Sequence, residues 1–224
     1  MTMENKPVLV FGGTFNPPHY GHLYLIQYVM HHLEFSQVYI VPSFSPPHKS
    51  EYDSVSFDDR LHMTRILFKS RNLPGNIEIS DMEKYLPVPS YSWRTLDYVH
   101  QKHPDKKLYM LIGMDMYLNL HQWENFKHLR EKNNFIVFKR ESFTPPEITA
   151  GDILLDNPFW NISSNNIRKI MYEFAKSGVQ YSCPPGSLSN EDAKTLDKNP
   201  GDEIEKLVPP ELISYILERR LYNP

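Results

Sequence analysis

The sequence predicts an α/β protein built on a doubly wound, mostly parallel sheet. Three observations predict it. Short apolar runs of strand length alternate along the chain with stretches of helical period. The run Leu108 to Ile112 is apolar enough throughout to be a central strand covered on both faces. The first run closes in Gly12-Gly13 directly ahead of a helix, the strand–turn–helix opening of a βαβ unit.

The elements follow in order. Val8 to Phe11 reads as a buried strand meeting a tight turn, and Leu23, Ile26, Met30 and Leu33 fall at helical spacing after Gly21. Gln37 to Val41 is a second strand, ended by Pro42. Ser56 with Asp59 three residues on resembles a capping box, opening a helix through Leu61, Ile66 and Leu67. Ile77 to Ile79 is a strand, and the two prolines in Tyr85 to Ser90 make that segment a loop. A helix through Leu96 and Val99 ends before Pro104, and the Leu108–Ile112 strand follows. Leu118 to Leu129 reads as one helix, Phe135 to Phe138 as a strand and Ile153 to Leu155 as a last short one. Ser163 or Ser164 caps a helix through Ile167, Ile170, Met171 and Phe174, stopped at Gly178. Residues 179–206 show no periodic apolar face and read as a loop insertion, and Pro209-Pro210-Glu211 opens a final helix within 207–224. The 224 residues fit a single domain, 1–224, with a C-terminal helical part.

Composition narrows the function. Lys plus Arg number 24 against 27 Asp plus Glu, a formal charge of -3, which argues against nucleic acid as partner and leaves room for a local phosphate site. One cysteine, Cys183, excludes an internal disulfide framework and suits a reducing compartment. No apolar run approaches the ~20 residues of a membrane span. The N-terminus enters a strand with no signal-peptide apolar region, so the expected location is cytoplasmic.

The chemistry concentrates at the first turn, Gly12-Gly13-Thr14-Phe15-Asn16-Pro17-Pro18-His19-Tyr20-Gly21-His22. Ligands of open α/β sheets bind at the carboxyl ends of strands, and glycines let a backbone come close to a phosphate. The helix that follows aims its N-terminal N–H groups at the same place, and His19 and His22 can donate to phosphoryl oxygens. The run lacks the Gly-Lys-Ser/Thr ending of a Walker A loop, it is not G-x-G-x-x-G, and no carboxylate stands at zincin spacing after His-x-x-His. A strand end with two surface histidines is the plain alternative. A second candidate anion site lies at Asn161-Ile162-Ser163-Ser164-Asn165-Asn166-Ile167-Arg168, also at a helix start, where an ordinary cap with a surface arginine is the alternative.

His19-Tyr20-Gly21-His22 resembles the signature of the (T/H)xGH nucleotidyltransferases, and the serine segment resembles their Ile-Ser-Ser-Thr-x-Ile-Arg motif, with Asn165 in place of its Thr. The resemblance implies a Rossmann-like nucleotidyltransferase fold in which His19 and His22 are catalytic, holding ATP phosphates during attack on the α-phosphorus. Pro46-Pro47-His48-Lys49, Arg60-Leu61-x-Met63, Pro89-Ser90-Tyr91-Ser92 with Thr95-Leu96, Gly113-Met114-Asp115, Leu120-His121-Gln122-Trp123 and Leu207-Val208-Pro209 further resemble the bacterial nicotinate-nucleotide adenylyltransferase family, over nearly all of the chain except 179–206. That family joins ATP to nicotinate mononucleotide in NAD biosynthesis. By resemblance, Gly12, Gly13, Thr14, Phe15, His19, His22, Gly113, Asp115, Ile162, Ser163, Ser164 and Arg168 bind ATP, with Asp115 on a ribose hydroxyl. Lys49, Tyr91, Ser92 and Trp123 bind the mononucleotide, Trp123 as an aromatic face and the backbone around Tyr91 and Ser92 as donors. Trp123 as a core aromatic is the alternative. Mg²⁺ arrives with ATP and no protein cage for a metal is expected. The competing readings are an adenylyltransferase for nicotinamide mononucleotide or phosphopantetheine, and a nucleotide-binding regulatory protein without catalysis.

Overall fold

The computed structural model describes residues 6–47, 55–69, 73–139, 147–158, 160–177, 181 and 203–222. Lys49 and Cys183 lie outside the described residues, as does the 179–206 segment apart from Tyr181 and 203–206. The chain, read from its sequence as one domain, comprises two compact units of interleaved segments. The first is Met1–Thr14, Leu25–Asp53 and Leu73–Trp160, and the second is Phe15–Tyr24, Ser54–Asn72 and Asn161–Pro224.

The first unit holds a six-stranded sheet in the order β3-β2-β1-β4-β5-β6, with every pair parallel. Its strands are β1 (Val8–Gly13), β2 (Gln37–Pro42), β3 (Ile77–Ile79), β4 (Leu108–Gly113), β5 (Asn134–Phe138) and β6 (Ile153–Leu154). Central strands have no wet face, so β4 is buried at all six positions and β1 at its first four. One face packs Val8, Val10, Tyr39, Val41, Leu108, Met110, Ile112, Phe135 and Val137 into a core with Leu96, Val99, Met114, Leu120 and Leu129. The alternate residues Leu9, Phe11, Val38, Ile40, Leu111 and Ile136 are buried on the other face. The order of the sheet reverses between β1 and β4, the doubly wound switch point.

The helices are α1 (Tyr20–His32), α2 (Phe57–Lys69), α3 (Ser92–Lys102), α4 (Met114–Leu118), α5 (Phe126–Lys132), α6 (Ser164–Ser177) and α7 (Pro210–Glu218). The predicted single helix Leu118–Leu129 is corrected: α4, a 3-10 turn at Leu120–Gln122 and α5 occupy that stretch. The break comes where Trp123 turns extended and Asn125 takes a left-handed φ of 54°, a conformation Asn tolerates better than most side chains. A 3-10 turn at Met82–Tyr85, invisible to periodicity, precedes the proline loop.

The second unit is helical. Its core is Val55, Met63, Ile167, Met171, Ile204, Val208, Leu212, Ile213 and Ile216, each worth roughly 1.5–3 kcal/mol when fully buried. The Ser56 half of the predicted capping box forms, the Asp59 N–H donating to Ser56 Oγ at 3.0 Å, and the Ser56 hydroxyl in turn donates to Asp59 Oδ2 at 2.5 Å. Asp59 also accepts from the Tyr215 hydroxyl at 2.8 Å and faces Arg219 Nε at 3.3 Å, which fastens α7 to α2. No described helix is long and apolar enough to cross a membrane.

Candidate active site

The His-x-x-His turn belongs to the second unit from Phe15 onward. Phe15 sits at φ 49°, the left-handed region that a bulky residue rarely enters, and the Asn16-Pro17 peptide is cis. The chain reverses here and delivers His19 to the N-cap of α1. The His19 N–H donates to Nδ1 of His22 at 3.2 Å, so His22 fills the place that Glu or Gln takes in a capping box. That bond makes Nδ1 an acceptor and leaves the ring proton on Nε2, a donor. The two rings lie 3.8 Å apart between centroids, and Phe15 packs at 5.0 Å from the His22 ring. Gly21 lets the first turn of α1 pack tightly on His19: a Cβ there would stand 3.0 Å from Cε1 and Nδ1 of that ring, which would have to give way.

The serine segment meets this turn within the same unit. Ser163 is the N-cap of α6, its hydroxyl accepting from the Asn166 N–H at 3.2 Å. Ser164 turns its hydroxyl the other way and donates to the Pro17 carbonyl at 2.8 Å. Arg168 donates to the Asn16 carbonyl at 2.5 Å and to the side-chain oxygen of Asn165. Asn165, the departure from the family Thr, thus buttresses the arginine. Ile162 lies under Gly21, its Cβ 3.5 Å from where a Gly21 Cβ would stand. Two stretches nearly 150 residues apart in sequence therefore place His19, His22, Ser163, Ser164 and Arg168 around one reversal of the chain.

Sequence reasoning missed what anchors the reversal from the C-terminus. The Tyr222 hydroxyl donates to Oδ1 of the buried Asn16 at 2.6 Å, and the Tyr20 N–H donates to the Leu207 carbonyl at 2.9 Å. A lone Tyr near a chain end carries no periodic or motif signal.

In the first unit, β1 and β4 run side by side and both end three residues beyond the Val10–Met110 pair, at Gly13 and Gly113. Gly12 and Gly13 thus end β1 at the switch point of the sheet, the exposed Thr14 follows them, and Gly113 ends the neighbouring β4. Gly113 is the N-cap of α4, and Asp115 lies half-buried in its first turn. The Gly13 carbonyl accepts from Ser43 N–H at 2.8 Å, which holds the loop after β2 to the end of β1.

The described mononucleotide candidates Tyr91, Ser92 and Trp123 also fall in this unit. Tyr91 is the N-cap of α3 and Ser92 its first residue, with no acidic side chain in the first turn. The Tyr91 N–H donates to the Pro89 carbonyl at 2.8 Å, and Ser92 and Trp93 open the helix, where first-turn N–H groups have no partner within the helix. Arg94 donates to the carbonyls of Pro87 at 2.9 Å and Pro89 at 3.1 Å, and its guanidinium lies 5.2 Å from the Tyr91 ring centroid. Trp123 is half-buried and packs on the sheet core. Its location is that of a core aromatic with one side left accessible.

With this geometry in view, known proteins give the family. Residues 10–170 match the family model described as cytidylyltransferase-like. A relative from Pseudothermotoga lettingae, named "Probable nicotinate-nucleotide adenylyltransferase", is 36% identical over 77% of this chain and 89% of its own length. One of the same name from Halalkalibacterium halodurans is 31% identical over 97% of this chain and 92% of its own. The chain belongs to the nicotinate-nucleotide adenylyltransferase family. Among solved structures, the Plasmodium falciparum nicotinic acid mononucleotide adenylyltransferase complexed with NaAD matches with a TM-score of 0.75 at 21% identity, over 97% of this chain and 98% of that one. At that identity it shows that this adenylyltransferase relative has the same fold.

Proposed function

We propose that this protein transfers the adenylyl group of ATP to nicotinate mononucleotide, giving nicotinate adenine dinucleotide and pyrophosphate in NAD biosynthesis. The observation that carries the reading is the convergence of His19, His22, Ser164 and Arg168 on the Asn16–Pro17 reversal. A phosphate oxygen of the mononucleotide attacks the α-phosphorus in line, the bond to the bridging oxygen of the β-phosphate breaks, and pyrophosphate takes that electron pair. No covalent intermediate with the protein is needed. The chain contributes alignment and donors aimed at the phosphates. His22, with its proton held on Nε2, donates where charge accumulates on the leaving group. The N-termini of α1 and α6 add oriented N–H groups. Asp115 takes a ribose hydroxyl of the nucleotide.

Mg²⁺ is proposed to enter bound to the triphosphate, since this ion keeps several of its waters and is usually held through substrate phosphates. The acid rather than the amide is favoured because α3 opens with N–H donors, no first-turn carboxylate, and the Arg94 cation over Tyr91. Pyrophosphate release measured with ATP plus either mononucleotide tests this. Turnover on the acid should exceed that on the amide by at least roughly tenfold, about the worth of one charge-assisted hydrogen bond. Pyrophosphate from neither would refute the activity, and equal rates would refute the preference.

A further inference from the structure

Glu83 is a buried carboxylate to which the phosphate chemistry assigns nothing. It lies in the 3-10 turn after β3, and burying a carboxylate is costly unless donors replace its water. Two donors do. The Phe44 N–H reaches Oε2 at 3.0 Å, and the Thr95 hydroxyl reaches Oε1 at 2.7 Å. Phe44 belongs to the loop after β2, and Thr95 sits one turn into α3, the helix that Tyr91 and Ser92 open.

The two segments bracketed by Glu83 are also tied directly. The Ser90 N–H donates to the Ser45 carbonyl at 2.8 Å, and the Ser45 N–H donates to Ser90 Oγ at 2.9 Å. Ser45 follows Phe44, and Ser90 precedes Tyr91. The carboxylate and the serine pair therefore close a ring of four hydrogen bonds, with the loop after β2 on one side and the start of α3 on the other. Everything in that ring except Glu83 is backbone, serine or threonine. Glu83 supplies its only charge, and charged acceptors make the stronger bonds.

We propose that Glu83 is a positioning residue for the pyridine mononucleotide, its two oxygens fixing the loop after β2 and the first turn of α3 in the register that binds this substrate. The inference rests on the proposed function, since it takes Ser92 and its neighbours as the mononucleotide's donors. Glu83 touches no reacting atom; it acts through Phe44 and Thr95. Removing one acceptor loosens the mononucleotide side and leaves the triphosphate turn, built in the other unit from other residues, as it was.

The test is steady-state kinetics of the full chain with nicotinate mononucleotide and MgATP, each varied in turn, for Glu83→Gln, Thr95→Val and Thr95→Ser. Glu83→Gln turns an amide NH₂ toward one of the two donors. It should raise KM for the mononucleotide about tenfold and leave KM for ATP within about twofold. Thr95→Val should move the same constant in the same direction by less, and Thr95→Ser, which keeps the hydroxyl, should restore it. The threonine pair decides the matter if Glu83→Gln fails to fold. An unchanged mononucleotide KM in Glu83→Gln or Thr95→Val, a fall in kcat alone, or equal rises for both substrates would overturn the proposal while the wild type still turns over. A wild type that does not use nicotinate mononucleotide would refute the proposed function and this inference with it.

Discussion

The His19–His22 turn and the Glu83 bracket are both held by networks of hydrogen bonds, yet they are wired differently. In the turn one bond is local, His19 N–H to His22 Nδ1, and Ser164, Arg168 and Tyr222 reach the reversal from far along the chain, each at its own acceptor. In the bracket every bond is long in sequence, 39 residues from Phe44 to Glu83 and 12 from Glu83 to Thr95, and one side chain receives two of them. A turn held at several separate points keeps its shape when one partner is lost and loses only that partner's chemistry. A centrally wired bracket loses geometry when its hub is changed.

The largest expected effect breaks the turn's chemistry without breaking its shape. His22→Ala should lower kcat by roughly 10²–10³, the cost of one well-placed donor to a transition state. The same change removes a helix cap worth about 1 kcal/mol, so circular dichroism and thermal unfolding should show a folded protein a few degrees less stable. A fold lost together with activity would contradict the contrast. Arg168→Ala comes next. Its guanidinium is held in a fork between Asn16 and Asn165, and loss should raise KM for ATP about tenfold with little change in KM for the mononucleotide. Arg168→Lys should recover only part of this, because an ammonium cannot span both oxygens.

The smallest effect is on stability. Burial pushes the Asp59 carboxyl upward, but hydrogen bonds from Ser56 and Tyr215 and the charge of Arg219 outweigh it and hold Asp59 below its ordinary value. The partner phenol of Tyr215 is pushed up to about 12, by burial first and then by Asp59. A depressed carboxyl stabilises the fold above its unfolded pKa, and that contribution fades as pH falls through the folded value. Thermal unfolding should therefore lose stability on acidification below about pH 4, and Asp59→Asn should flatten that part of the curve. An unchanged acid limb in the variant would remove Asp59 from the account.

This difference in wiring also explains how much could be read from the amino acids. The central strands were legible because apolar runs buried on both faces need no partner to be recognised, and all six strands match their expected positions to within two residues at either end. The His-Tyr-Gly-His motif and the Ser163 cap were legible because their contacts are local: Gly21 packs on a ring two residues away, and Ser163 accepts from an N–H three residues on. The split of Leu118–Leu129 was not, since apolar spacing continues through it and only the backbone of Trp123 and Asn125 breaks. Glu83 and Tyr222 were invisible for the same reason. Their partners are chosen by the fold, at distances in sequence where no pattern links them.

The most direct measurement follows the phosphorus. With ATP labelled at the α-position, and separately at the γ-position, incubation with nicotinate mononucleotide should carry the α-label into the dinucleotide and leave the γ-label in pyrophosphate. A γ-label on the mononucleotide, or an α-label that stays on ATP, would contradict adenylyl transfer by this protein.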